Sequence, residues 1–175
     1  PSKSSAYKLD SFRAEEFPLG MGVDQTLEIL TGEDVLAGAI GRALSFTAGG
    51  DETSRAAMQG IRFTASDGKM VLDATDARTC YRETIELLEF SPTDKRLSRD
   101  PGVFLLHGDS LRRILPSLTG AVRVRAGESS VEFVSGAGTC LLQALQASQF
   151  PDIGRVIAFE TPYEMTIDRG AFTEA

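Results

Sequence analysis

The chain has no tryptophan, one histidine, two cysteines and three tyrosines among its 175 residues. A lone imidazole, His107, and two cysteines far apart in sequence, Cys80 and Cys140, give no cluster at the short ligand spacing of a zinc site. Both cysteines read as small hydrophobes packed in strands, with a disulfide or metal pair as the alternative. No apolar run approaches the roughly 18 to 20 residues of a membrane span, and Pro1-Ser2-Lys3-Ser4-Ser5 carries no apolar signal-peptide core. The expectation is a cytoplasmic protein without a membrane partner. Basic residues are also short: 18 Lys and Arg stand against 25 Asp and Glu, a net charge of −7. That balance excludes gripping nucleic acid with a broad basic surface, so any DNA contact has to be local, weak or enforced by topology. Ala48-Gly49-Gly50 lacks the lysine and hydroxyl residue of a phosphate-cradling loop. His107 with Cys80 or Cys140 has no local signature of a cysteine hydrolase, and Asp73 with Asp76 reads as turn chemistry before it reads as a magnesium site. No catalytic residue, metal or cofactor is expected.

What the chain does have is repetition. Ala77-Arg78-Thr79-Cys80 returns as Ala137-Gly138-Thr139-Cys140, and Ile61-Arg62-Phe63 as Val122-Arg123-Val124. On a longer period, Phe17-Pro18 returns as Phe150-Pro151, and Leu27-Glu28-Ile29-Leu30-Thr31-Gly32 is echoed by Met165-Thr166-Ile167-Asp168-Arg169-Gly170. Recurrence of this kind means one supersecondary unit used again, each copy burying its neighbour's apolar face. The expectation is one domain of two similar halves over 23–157, preceded by the tail of a similar domain over 1–22 and followed by the head of another over 158–175.

Within the first half, a strand at 6–9 and a polar connector through Phe17-Pro18 lead to an alternating strand at 26–30. Thr31 is the expected cap of a helix with Glu33 and Asp34 in its first turn, and Val35, Leu36, Ala39, Ile40, Ala43 and Leu44 form its apolar stripe. Asp67-Gly68 marks a tight hairpin between strands at 60–65 and 69–74, and a third strand is expected at 78–88. After a polar loop at 91–101 the order repeats. A strand at 103–106 precedes a short helix capped by Asp109 or Ser110, with Leu111, Ile114, Leu115 and Leu118 inward and its regularity limited by Pro116. Strands at 121–125, 130–134 and 139–147 follow. Two helices against a mostly antiparallel sheet, related by an internal pseudo-twofold, make an α+β architecture.

Three stretches carry a resemblance to a known family. They are Arg55-Ala56-Ala57-Met58-Gln59-Gly60-Ile61-Arg62-Phe63, Leu72-Asp73-Ala74-Thr75-Asp76, and Gln149-Phe150-Pro151-Asp152-Ile153-Gly154-Arg155-Val156. In order, spacing and placement on the repeat, they resemble the bacterial DNA polymerase III beta subunit, the sliding clamp. The resemblance implies the DNA clamp fold, two similar halves each with a helix packed on antiparallel strands, as the central domain of a three-domain subunit. It further implies a homodimeric ring around double-stranded DNA, a non-catalytic processivity factor that tethers the DNA polymerase III alpha subunit, the clamp loader and other clamp-motif proteins. Partner peptides would enter a pocket whose wall here comprises Arg55, Met58, Thr75, Ala77, Cys80, Pro151, Arg155 and Val156. Arg42, Arg112 and Arg113 would face DNA, although Gly108-Asp109 replaces a basic pair usual in the family. Ala77 stands where glycine is preferred, and Thr79-Cys80 where an arginine and a larger aliphatic residue are usual. The alternative is a clamp-fold adaptor or regulatory module that no longer forms a ring.

Overall fold

The computed structural model describes residues 25–49, 53–92 and 102–158 and the single positions 23 and 166, with only the backbone described for 53–55. The expected strand at 6–9, the connector with Phe17-Pro18, the end of the glycine-rich loop at Gly50-Asp51, most of the 91–101 loop and the echo around 165–170 lie outside the described residues.

Alternation sets the first strand, β1 (Gln25–Thr31), in which Leu27, Ile29 and Thr31 are buried. The strand runs one residue further than expected, and this removes Thr31 from any capping role: its hydroxyl donates to the Val122 carbonyl at 3.2 Å. Helix α1 (Val35–Ala43) instead starts after Asp34, whose φ of 56° is left-handed and whose side chain caps no amide of its own helix. Asp34 is tied across to the second half, its Oδ1 accepting from Gly120 N at 3.2 Å. Leu36, Ala39, Ile40 and Ala43 form the buried stripe of α1, while Val35, expected inside, is exposed.

The hairpin of β2 (Gly60–Ser66) and β3 (Lys69–Thr75) turns through Asp67 and Gly68 at φ 50° and 74°, the pair of positive angles that matches the twist of its strands. Strand β4 (Cys80–Pro92) extends beyond its expected end. In the second half β5 (Gly102–His107) leads into α2 (Gly108–Ile114), followed by β6 (Val122–Gly127), β7 (Ser130–Ser135) and β8 (Gly138–Leu145). Neither Asp109 nor Ser110 caps α2. His107 does, its Nδ1 accepting from Asp109 N at 3.1 Å while its Nε2 lies 3.2 Å from Gln59 Oε1. One ring nitrogen must accept and the other donate, so this arrangement fits the neutral Nε2–H tautomer. Pro116 falls in a single 3-10 turn, Leu115–Ser117, where α2 ends.

The strands close on themselves in the order β1-β4-β3-β2-β5-β8-β7-β6, every pair antiparallel, with β6 returning to β1. Exchanging β1 to β4 with β5 to β8 leaves this circular order unchanged, so the sequence repeat is a true structural one. The expected layer of antiparallel sheet is thus a closed barrel. Its closing strands divide their length: β4 pairs with β3 over 80–86 and then with β1 over 87–92, and β8 pairs with β7 over 138–143 and then with β5 over 144–145. Among the described residues the far edges of 80–86 and 138–143 have no strand partner.

One core fills the barrel and the space under the helices. Leu27, Ile29, Phe63, Met70, Leu72 and Phe133 meet Leu36 and Ile40 of α1 and Leu111 of α2. Burying each such side chain contributes roughly 1.5–3 kcal/mol relative to exposure. Phe63 and Phe104 stack across β2 and β5 with centroids 4.9 Å apart. Gly60 is needed at this junction because a Cβ there would lie 2.6 Å from the Leu106 carbonyl oxygen.

Candidate peptide-binding cleft

A second, smaller core forms on the outer face of the barrel, where Leu105 and Ala57 meet Phe150 and Ile153, with Cys80, Leu145 and Ala147 packed alongside. The chain after β8 is thereby folded back onto the sheet. It makes a 3-10 turn, Ala147–Gln149, passes through Phe150-Pro151 and enters the short helix α3 (Ile153–Ile157), which Asp152 caps by accepting from Arg155 N.

Beneath this segment Asp73, 1% exposed, sits between two guanidinium groups. Its Oδ2 accepts from Arg62 Nη2 at 2.7 Å and Arg82 Nη2 at 3.0 Å, and its Oδ1 from Arg82 Nε at 2.7 Å. Arg62 also stacks its guanidinium 5.1 Å from the centre of the Phe150 ring, and a Cβ on Gly154 would meet Arg82 Nη1 at 3.2 Å. The reading of Asp73 as turn chemistry is therefore corrected: it is the buried anchor of an Arg62-Asp73-Arg82 cluster against which the 150–157 segment rests. Alternation along β3 sends Asp73 to the outer face, and the sequence held no local sign that this face would be covered.

Asp76, in contrast, does serve a turn. Its Oδ1 accepts from Arg78 N at 2.9 Å, Thr79 N at 2.6 Å and Thr79 Oγ1 at 2.9 Å. These bonds, the Thr79 amide first, hold its carboxyl down to about 2. Thr75 closes the same turn from inside, its Oγ1 donating to the Thr79 carbonyl at 2.6 Å and accepting from Ala77 N at 3.1 Å. Ala77 lies at φ 72°, which explains why glycine suits the position.

Between this turn and the folded-back segment lies a cleft of about 160 Å³. Its wall contains Met58, Thr75, Ala77, Cys80, Pro151 and Val156, six of the eight expected residues. Met58 arrives on the 3-10 stretch Thr53–Gln59, held where its carbonyl accepts from Ala48 N at 2.9 Å. The side chain of Arg55, on the same stretch, lies outside the described residues. Arg155 is 89% exposed and turns to Asp152 at 3.3 Å instead of entering the wall. Arg78, Thr79 and Ile153 were not expected there. Ile153 was legible as the first apolar residue after Pro151, two positions on, and Arg78 and Thr79 come with any hairpin whose loop forms a wall. Both cysteines are free thiols: Cys80 faces this cleft and Cys140 packs on the main core. A larger recess of about 460 Å³ opens beside Gly102, Phe104 and Gln146, contains none of the expected residues and has Glu128 as its one charged group.

The two helices approach where a Cβ on Gly41 would lie 3.9 Å from Leu115, and Arg112 of α2 reaches the end of α1. Arg42 is engaged with Glu83 through Nε at 3.1 Å and Nη2 at 2.5 Å, and donates to the Tyr81 hydroxyl as well. The Arg42 guanidinium holds Glu83 below its ordinary value, while burial first and Glu83 second push the Tyr81 phenol up. Arg112 donates to Asp109 Oδ1 at 2.8 Å and to the Leu44 carbonyl at 3.1 Å. Arg113 is exposed and has no ion-pair partner among the described residues.

No family model matches the chain, and no curated protein matches it by sequence. Solved structures do match. The Helicobacter pylori beta clamp bound to a DNA ligase peptide has a TM-score of 0.82 at 17% identity, over 97% of this chain and 46% of that one. The DNA polymerase sliding clamp of Bacillus subtilis has a TM-score of 0.71 at 19% identity, over 85% and 37%. The DNA polymerase III beta subunit of Thermotoga maritima has a TM-score of 0.65 at 19% identity, over 90% and 41%. The chain has the fold of these bacterial clamps and spans less than half the length of each.

Proposed function

We propose that this chain is the central part of a sliding clamp, a processivity factor that encircles duplex DNA as a ring and tethers a DNA polymerase and other partners by their short peptides. The observation that carries this reading is the cleft. On a clamp fold, Met58, Thr75, Ala77, Cys80, Pro151 and Val156 form one apolar concavity from three separate stretches of sequence. A short peptide can anchor a side chain or two in such a site while polar groups at the edge set its register. Met58 suits varied ligands because its thioether side chain repacks readily. The acidic balance is consistent with retention by topology, since tight phosphate binding would impede sliding.

A second reading, a clamp-fold adaptor without a ring, draws support from the helix layer, where Arg42 and Arg112 already satisfy Glu83 and Asp109. Retention of the intact protein on closed circular DNA, with release on linearisation, separates the two. A ring stays on the circle and slides off the cut molecule, and equal behaviour on both supports the adaptor. Met58→Asp should abolish capture of a clamp-motif peptide in fluorescence anisotropy without altering the circular dichroism spectrum, because it places an unpaired charge in an apolar site. Unchanged affinity would remove the cleft from the binding site.

A further inference from the structure

Most of the arginines whose side chains are described in this acidic chain are engaged. Of the nine whose side chains are described, Arg42, Arg62, Arg82, Arg112, Arg123, Arg125 and Arg155 form ion pairs. Arg78 and Arg113 have no such partner among the described residues. Arg113 stands on the open helix layer, whereas Arg78 stands at the mouth of the cleft. The two carboxylates nearest in sequence to the cleft wall are committed elsewhere: Asp76 to the amides of its own turn, Asp152 to Arg155 and the start of α3. The cleft thus combines an apolar floor of Met58, Cys80 and Ile153 with a rim cation that nothing described neutralises. Its volume of about 160 Å³ admits only an anchoring side chain or two, so the rest of a bound peptide must cross the rim.

We infer that Arg78 is a specificity residue that selects peptides carrying an aspartate or glutamate beside their apolar anchor. This rests on the peptide-docking reading of the cleft. A rim charge acts mainly on encounter rate and on discrimination between partners, and it weakens as salt screens it. The size expected of an exposed pair is modest, a preference of about two- to five-fold.

The test uses the intact protein and two short, C-terminally amidated, fluorescein-labelled peptides that share a Leu-Phe anchor and differ in having Glu or Gln next to it. Wild type should bind the Glu peptide about three-fold more tightly, chiefly through faster association, and the preference should fade at high salt. Arg78→Gln should bring the ratio of the two affinities to about one, and Arg78→Glu should invert it. Equal affinity for both peptides in wild type, with Met58→Asp abolishing both, would overturn the role of Arg78 and leave the cleft standing. Binding that Met58→Asp does not disturb would overturn the cleft, and the inference with it.

Discussion

Each sheet face of the barrel carries one carboxylate gripped by two arginines, and the two clusters differ in what covers them. On one face Asp73 lies between Arg62 and Arg82 under the 150–157 segment, 1% exposed. On the other Glu28 lies between Arg123 and Arg125, with Glu89 and Glu132 also in reach, and its side chain is 23% exposed. Arg62 and Arg123 are the equivalent arginines of the sequence repeat, so the same residue type was put to two uses. Water and competing carboxylates surround Glu28, and its pairing, Arg125 first and Arg123 after, lowers its proton affinity without making it a structural anchor. Around Asp73 the described residues offer Arg62 and Arg82 no second ion pair, and Asp152 acts on Arg82 only from a distance. Removing one member of a buried ion cluster leaves the others desolvated and unpaired. Covering a charged face converts a surface decoration into a keystone.

The sharpest way to break this comparison is to remove both carboxylates in turn. Asp73→Ala should cost about 3–5 kcal/mol in urea unfolding and loosen the 150–157 segment in hydrogen exchange, whereas Glu28→Ala should cost about 1 kcal/mol or less. Equal losses would mean that the cover contributes nothing. The two repeat turns sharpen the contrast at smaller scale. Thr75 and Ser135 each accept a hydrogen bond from the amide two residues on, Ala77 N at 3.1 Å and Ala137 N at 3.3 Å, but Ala77 alone of the two alanines has positive φ. Ala77→Gly should therefore stabilise by about 0.5–1 kcal/mol, and Ala137→Gly should be neutral or slightly destabilising. Matching thermal shifts would contradict the strain assigned to Ala77.

Acid should separate the turns as well. Asp76 has a folded value near 2, below its ordinary 3.8, so its stabilising effect is present above about pH 4 and is lost as pH falls through 2. The equivalent position in the second half is Gly136 and has no such dependence. Asp76→Asn should flatten the acid limb of the cleft turn's amide-exchange profile between about pH 4 and 2, leaving the 135–138 turn unchanged. An unaltered profile would show that the carboxylate is not what holds the loop.

Sequence reading reached most of the frame because the frame is periodic. Alternation marked β1, the Asp67-Gly68 pair marked the hairpin of β2 and β3, the repeated order marked β5, and the three- and four-residue spacing of Leu36, Ala39, Ile40 and Ala43 marked α1. The errors fall where a tertiary partner overrides a local preference. Thr31 looks like a cap until Val122 is found opposite it, and Asp109 or Ser110 is the ordinary choice for α2 until His107 occupies that role. Val35 has the spacing of a core residue but sits at the rim of its helix. Six cleft residues were legible through the resemblance: Met58, Thr75, Pro151 and Val156 lie in the stretches that carry it, and Ala77 and Cys80 follow as departures from the family's pattern. The Asp73 cluster was not, because its meaning depends on a segment more than seventy positions away folding back over it.

The divided strands have a further outcome. Over 80–86 the rail of β4, without a strand partner among the described residues, bears Arg82, Glu83 and Glu86, charges that discourage another backbone from docking. Over 138–143 the rail of β8 reads Gly138-Thr139-Cys140-Leu141-Leu142-Gln143, with no charge at all. Of these two described edges that of β8 is the stickier, and soluble handling of the protein should improve with Leu141→Lys.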